Sequence, residues 1–326
     1  MNLSHITRRR VLGAALLAAA VPRLAPAQAF PTRPITLIVP FPAAGSTDAM
    51  NRIIADKLQG LLGQPVVLDF KPGAGGNLGT ELAARAQPDG YTMVFVAMPQ
   101  IISPAVYPRL GYNLLTDLRA VGSFLETTPV LVVHPQLGVR SVRELVELAR
   151  AQPGRIEYGT GGNGTSAHLL GELFKRSAGV DLLHVPYRGA AQAVTDLLAG
   201  RVKVMYETPS SIVGHVRSGA LQALAVLGPR RLAAMPEVPT AAEAGIPDVQ
   251  LVQFASLMVP AATPDPVVQT LSAALKKVTE MPDVIERWAG LAAEPAFAPP
   301  AETMARIAAE VRRLGDIASA AQIKLD

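Results

Sequence analysis

The stretch that decides the fold is residues 35–62, which read ITLIVPFPAAGSTDAMNRIIADKLQGLL. It opens with an apolar run at 35–39, which is typical of a strand buried on both faces. Pro40 and the small residues after it end this strand, and apolar residues then recur at helical spacing from Met50 to Leu62. The stretch therefore predicts a strand that leads through a small-residue turn into an amphipathic helix.

The turn of this unit is the first candidate binding site. Ser46, Thr47 and Asp48 supply the capping and first-turn residues of a helix. The start of a helix carries unpaired backbone N–H groups and a partial positive charge, so it can hold an anion without a basic side chain. An ordinary capped connection between a strand and a helix explains the same residues, and this stretch alone does not decide between the two.

The first 29 residues have the features of an export signal. Arg8, Arg9 and Arg10 precede an apolar run at 11–21, and overlapping A-x-A cleavage patterns follow at 25–29. The arginines also fit a twin-arginine signal, so twin-arginine and Sec export both stay open. The apolar run is too short for a stable membrane anchor. We therefore expect residues 1–29 to be a signal peptide and the mature protein to be soluble and exported.

The composition narrows the class of protein. With 326 residues and 49% hydrophobic content, the chain can bury a large core and form two domains. Of the 30 Lys and Arg residues, four lie in residues 1–29, which hold no acidic residue, so 26 basic and 26 acidic residues remain. The basic pI therefore gives no reason to expect nucleic acid as a partner. The chain has no cysteine, which excludes disulfides and thiolate metal sites.

The opening pattern occurs a second time along the chain. A strand is predicted at 155–159, a glycine-rich turn at 160–164, and a helix that starts around Thr165 and Ser166. Strands and helices alternate between the two units, which indicates βαβ topology. We therefore expect an α/β protein of two similar domains that face each other, each a mostly parallel sheet flanked by helices, with domain limits at 30–128 plus 250–326 and at 129–249.

Several enzyme signatures are present only in incomplete form. The GTGGNG stretch at 159–164 has the spacing of a dinucleotide fingerprint, but Asp181 stands at the start of the next strand instead of its end. The residues around Ser166 resemble a nucleophile elbow, although His168 replaces the closing glycine and is expected on the helix surface. The other histidines lack metal-binding spacing. Binding is therefore favoured over catalysis, with no cofactor and no metal expected.

A set of ordered motifs identifies the chain as similar to one protein family. The motifs are PITLIVPFP at 34–42, KPGAGGN at 71–77, PDGYT at 88–92, NGTSAH at 163–168, HVPYRG at 184–189, TDLL at 195–198 and VPT at 238–240. Together they resemble the Bug family, the periplasmic solute-binding proteins of tripartite tricarboxylate transporters. The match covers essentially the whole chain after the export signal.

The resemblance implies a Venus-flytrap fold that binds a small carboxylate between its domains without catalysis. The ligand could be a mono-, di- or tricarboxylate or an amino acid, held by the turns at 41–48 and 162–166 largely through backbone groups and water. The implied partners of the monomeric protein are the membrane subunits of a transporter. The candidate ligand-binding residues are Phe41, Ala44, Gly45, Ser46, Thr47, Asp48, Met98, Gly162, Asn163, Gly164, Thr165, Ser166, His168, Tyr187 and Glu207.

The sequence departs from the family pattern at several positions, so the identity of the ligand stays open. The glycine run that is usual after Pro42 is replaced by Ala43-Ala44-Gly45-Ser46, and Tyr206-Glu207-Thr208 stands where Phe-Asp-Asn is common. Met98 begins a stretch that is often rich in Ser, Thr and Gly. Two other functions stay open at this point: an exported hydrolase that uses Ser166 as its nucleophile, and a sensor that presents its ligand to a receptor.

Overall fold

The computed structural model describes residues 30–43, 46–290 and 293–323, without the side chain of Ser46. The predicted export signal lies outside these residues. The described strands are β1 (Ile35–Val39), β2 (Val66–Phe70), β3 (Thr92–Val96), β4 (Leu118–Thr127), β5 (Val130–Val133), β6 (Glu157–Thr160), β7 (Leu183–Pro186), β8 (Val204–Glu207), β9 (Gln222–Val226), β10 (Gln253–Pro260) and β11 (Glu294–Ala298).

The described α-helices lie between these strands and after the last of them. They are α1 (Ser46–Leu62), α2 (Asn77–Ala84), α3 (Met98–Val106), α4 (Val142–Ala151), α5 (Ser166–Ala178), α6 (Ala190–Leu198), α7 (Pro209–Arg217), α8 (Asp265–Thr279), α9 (Pro282–Gly290) and α10 (Pro300–Ala320). Short 3-10 helices precede α2 and follow β5. Within the described ranges, no helix combines the length and the apolar content needed to cross a membrane.

The strands form two sheets. The first has the order β11-β4-β10-β3-β1-β2, and the second has the order β7-β6-β8-β5-β9. The first sheet takes its strands from two parts of the chain, because β10 and β11 return to it after the second sheet is complete. Helices cover both sheets, which confirms the predicted two-domain α/β fold class. The limits of the two domains remain a proposal.

Both sheets are mixed, so the prediction of mostly parallel sheets is wrong in this respect. β1 pairs in parallel with β2 and β3, whereas β10 runs antiparallel to both of its neighbours, β3 and β4. In the second sheet, β6 pairs in parallel with β7 and β8, and β5 runs antiparallel to β8 and β9. The physical reason lies in the connections, because the chain enters β10 and β5 from the edge at which the parallel strands end.

The buried core has three parts. One packs α1, α8 and α9 against the first sheet, and another packs α6 and α7 against the second sheet. The third is shared, because it includes Ile38 and Val94 of the first sheet, Leu131 of the second, and Ile307 and Leu314 of α10. The C-terminal helix therefore belongs to a core that reaches both sheets.

Candidate binding cleft

The two sheets face each other at one end of their strands. The parallel strands β1 and β3 have their carboxyl ends there, and β10 begins there with Gln253 opposite Thr127, the last residue of β4. In the second sheet, β8 also ends there, with Glu207 opposite Val130, the first residue of β5. Only two residues separate Thr127 from Val130, so these strand ends adjoin and form a cleft. Ligands of α/β sheets bind in this place, beyond the carboxyl ends of the strands.

A cavity of about 210 Å³ lies in this cleft. The first-sheet side supplies walls from α1, from the end of β3 with the start of α3, and from the β4–β10 edge. The start of α7 closes the cavity from the second-sheet side through Thr208 and Ser210. The site is therefore built at the point where the two halves of the fold face each other.

Three of the candidate residues line this cavity: Phe41, Thr47 and Met98. Ala44 and Gly45 lie outside the described residues, as does the side chain of Ser46. Sequence reasoning missed several lining residues, because they sit on elements that it assigned to the core or to connections. They are Met50, Phe95, Ala97, Pro99, Leu125, Thr127, Thr208, Ser210, Gln253, Phe254 and Ala255. A usable signal exists for Phe95 and Ala97, because Phe95 lies near the carboxyl end of β3, which is parallel to β1, and Ala97 directly follows that strand.

A column of packed aromatic rings lies behind the first-sheet side of the cavity. Phe41 meets Phe95 edge-to-face with ring centroids 6.0 Å apart, and Phe95 meets Phe124 at 6.1 Å. Phe124 in turn packs on Trp288 of α9 at 5.8 Å. Phe124 and Trp288 are fully buried, whereas Phe41 is half-buried at the cavity. The position of Phe41 is therefore tied to the core through a chain of ring contacts.

Asp48 lies one helical position beyond Thr47, but it does not line the cavity. Its Oδ1 lies 2.8 Å from Nε of Arg52, one turn further along α1. Asn51 lies on the same helix and donates from Nδ2 to the carbonyl oxygen of Thr47. These contacts fix the first turn of α1, and they pair its acidic residue, Asp48, with a basic residue of the next turn, Arg52.

The second glycine-rich turn is held by its own side chains. The hydroxyl of Thr165 donates to the carbonyl oxygen of Gly162 at 2.8 Å and accepts the N–H of His168 as the N-cap of α5. The N–H of Gly164 donates to Nδ1 of His168 at 3.1 Å. Gly162 and Gly164 both have positive φ, which favours glycine at these positions. None of these residues lines the cavity, so their contact with a ligand stays a prediction.

His168 is buried, which corrects the expectation that it lies on the helix surface. Its ring stacks on that of His184 with centroids 4.0 Å apart, and His184 stacks on Tyr158 at 4.9 Å. Nε2 of His184 hydrogen-bonds the hydroxyl of Thr160 at 2.7 Å, and the Tyr158 hydroxyl donates to Glu172. This second aromatic column supports the glycine-rich turn. His168 therefore has a structural role in the column instead of serving as a base for Ser166.

Tyr187 and Glu207 are satisfied by local contacts. The Tyr187 hydroxyl donates to Asp196 at 2.8 Å. Glu207 is buried, and its Oε1 accepts the backbone N–H of Thr208 at 2.8 Å and the Thr208 hydroxyl at 3.0 Å. Burial raises the pKa of the Glu207 carboxyl, partly opposed by these hydrogen bonds. The remaining candidates, Asn163 and Ser166, are exposed and half-exposed at the start of α5.

A family model matches residues 50–323, under the description "Tripartite tricarboxylate transporter family receptor" (TctC). The chain belongs to this family. BugT of Bordetella pertussis is a relative of this receptor with 35% identity over 327 residues, which covers all of both chains. The predicted resemblance to Bug proteins is therefore confirmed.

Solved structures agree with this assignment. The receptor superposes on R. palustris Rpa4515, whose structure contains adipate, with a TM-score of 0.81 and 32% identity over 91% of this chain and 100% of that one. It superposes on the periplasmic binding protein BugD with a TM-score of 0.78 and 30% identity over the same shares of the two chains. These two structures therefore share the fold of this protein over 91% of its chain.

The buried histidine stack predicts that acid destabilises the receptor. Burial and the neighbouring His168 lower the pKa of His184 from 6.5 to about 4, and burial also lowers the pKa of His168. Between these pH values the unfolded chain binds protons that the folded chain does not, so the free energy of unfolding falls as the pH drops. We expect a loss of about 1–2 kcal/mol after allowance for solvent screening.

Urea denaturation at pH 7.5, 6.0 and 5.0 measures this loss. In the His184→Gln variant the decline between pH 7.5 and 5.0 should be smaller than in the wild type. His215→Gln, which changes a histidine of α7 outside the stack, is the matched control and should follow the wild-type curve. Equal declines in all three proteins would contradict a neutral histidine stack.

Proposed function

We propose that the receptor is the periplasmic binding protein of a tripartite tricarboxylate transporter and that it captures a small carboxylate in the cleft between the two sheets. It acts as a monomer without catalysis and delivers the ligand to the membrane subunits of the transporter. The observation that carries the proposal is the cavity at the adjoining sheet edges, which is lined from both sides and lies at the starts of α1, α3 and α7.

The chemistry of these helix starts supports an anionic ligand. Thr47 lies in the first turn of α1 and lines the cavity, and Met98 and Pro99 begin α3. Helix starts stabilise negative charge through oriented N–H groups and the helix dipole. Family membership and the adipate in the Rpa4515 structure point to the same ligand class.

The second glycine-rich turn, at residues 162–166, adds donors to the same carboxylate when the two halves of the fold approach each other. Gly162–Ser166 lies at the start of α5, beyond the end of β6, which pairs in parallel with β8. Since β8 ends at the cleft, the turn stands on the same edge as the cavity. Domain closure around a ligand is a common motion in binding proteins of this kind.

Replacing Thr47 by valine is expected to weaken carboxylate binding ten- to a hundredfold. The substitution keeps the side-chain shape and removes one hydroxyl from the cavity, and a hydrogen bond to a charged group contributes about 1.5–3 kcal/mol. Calorimetric titration with the best ligand from a thermal-shift screen of mono- and dicarboxylates measures the change.

The matched control is Thr270→Val, which removes a hydroxyl from the exposed face of α8, where it donates only to the carbonyl oxygen of Pro266. It should bind the ligand like the wild type. A Thr47→Val protein with wild-type affinity would place the carboxylate elsewhere, and a screen in which only uncharged solutes bind would refute the proposed function.

A further inference from the structure

The cavity in the cleft is mostly apolar. Phe95, Met98, Leu125 and Phe254 are buried in its walls, and Phe41 and Met50 are half-buried there. Aromatic rings and methionine thioethers provide adaptable apolar contacts, but they do not replace the water around a charged group. A ligand that fills this space therefore gains most if its own body is apolar.

The polar groups of the cavity are few and uncharged. They come from Thr47, Thr127, Thr208, Ser210 and Gln253, and among the described lining residues there is no acidic or basic side chain. The Thr208 hydroxyl already donates to the buried Glu207 carboxyl. Such a set can serve one carboxylate at a helix start, but it offers little to a second one.

Arg52, the basic residue of α1 nearest to the cavity along the chain, does not supply a charge for a second carboxylate. Arg52 is paired with Asp48, and its guanidinium lies over the ring of Phe70 at 5.9 Å from the centroid. Glu207, directly before Thr208, adds an acidic group behind the second-sheet wall. Arg306 of α10 lies over the ring of Phe254, 4.1 Å from its centroid, and is paired with Glu126. A second carboxylate in the cavity would therefore meet apolar walls, a buried acid and arginines that already have acidic partners.

The cavity has room for a compact ligand. A volume of 210 Å³ corresponds to the space of about seven water molecules in the liquid. It suits a short alkyl chain or a single ring, and it lies below the usual range for pockets that hold drug-sized ligands.

We propose that the physiological ligand is a monocarboxylate with a compact apolar body, such as a single ring or a short alkyl chain, in preference to a dicarboxylate of the same length. The inference rests on the proposed function and narrows its ligand class. The carboxylate lies at the start of α1, and the apolar body packs against Phe41, Met50, Phe95 and Phe254.

Calorimetric titration of the wild-type protein with hexanoate, adipate, cyclohexanecarboxylate and hexan-1-ol tests the proposal. Hexanoate and adipate share a six-carbon chain and differ only in the second carboxylate. Hexanoate and cyclohexanecarboxylate are expected to bind at least about tenfold more tightly than adipate. Hexan-1-ol, which lacks the carboxylate, should bind more weakly than hexanoate.

The outcomes separate this inference from the function on which it rests. Adipate binding as tightly as hexanoate or more tightly overturns the apolar preference and leaves carboxylate capture intact. Hexan-1-ol binding as well as hexanoate, or no carboxylate binding at all, overturns the proposed function itself.

A charge placed in the wall provides a second test. Met50→Lys puts a cation beside the cavity, and the ratio of adipate to hexanoate affinity is expected to rise at least about tenfold. Leu61→Lys adds the same charge near the end of α1, where the side chain is exposed and outside the cavity, and should leave the ratio unchanged. An equal ratio in both variants would contradict an apolar body packed on Met50, and the wild-type comparison stands even if Met50→Lys does not fold.

Discussion

Replacing Trp288 by alanine is expected to lower the free energy of unfolding by about 3–5 kcal/mol, because a large buried ring is lost and a cavity remains. Trp288 is fully buried in the core under the first sheet and ends the aromatic column that begins at Phe41. Urea denaturation followed by circular dichroism measures the loss. Tryptophan fluorescence would not serve, because Trp288 is the only tryptophan of the chain and the alanine variant lacks it. Ligand affinity should also fall, because the wall formed by Phe41 loses its support.

Trp288→Phe is the matched control. It keeps an aromatic ring next to Phe124 and removes an indole N–H that has no hydrogen-bond partner among the described residues. We expect it to cost less than half of what the alanine substitution costs. Equal losses in the two variants would contradict the expectation that an aromatic ring packed on Phe124 supplies most of the stability at this site.

Gly171→Ala is expected to destabilise the protein by about 3 kcal/mol, at the upper end for overpacking in a core. A Cβ atom on Gly171 of α5 would lie 2.3 Å from Cε2 of Tyr158, and the Tyr158 ring is itself fully buried. The ring would have to leave His184 and Glu172, which hold the second aromatic column together. Thermal and urea melts measure the effect.

An exposed helical glycine gives the opposite expectation. Gly214 of α7 has open space around its Cα, so Gly214→Ala should stabilise the protein by about 0.5–1 kcal/mol through the higher helix propensity of alanine. If Gly171→Ala were also stabilising, the close packing of α5 on Tyr158 would be wrong.

The units with simple patterns could be predicted from the sequence. β1 with α1 and β6 with α5 follow apolar runs that are cleanly interrupted by small residues, and the structure contains both units. The strand β4 could not be predicted in this way, because Arg119, Gly122 and Glu126 interrupt its apolar pattern. Its pairing with β10 is also irregular, with shifts in register. β11 is short and contains a proline, which also hides it.

The candidate site was only partly predictable for a geometric reason. Phe41 and Thr47 belong to a recognisable turn, whereas Phe254 reaches the same cavity only because β10 inserts between β3 and β4. An apolar residue on such a strand looks like any other core residue in the sequence. Thr208 and Ser210 line the cavity from the opposite half of the fold, and no local sequence pattern indicates that the two halves meet there.

The position of Ser210 has a practical consequence. It is exposed, it lies on the second-sheet side, and it faces a cavity whose other walls come almost entirely from the first sheet. Because the chain has no cysteine, Ser210→Cys would introduce the only thiol of the molecule. An environment-sensitive dye attached there would report occupation of the cavity as a change in fluorescence, which turns the protein into a reagentless optical sensor for its own ligand.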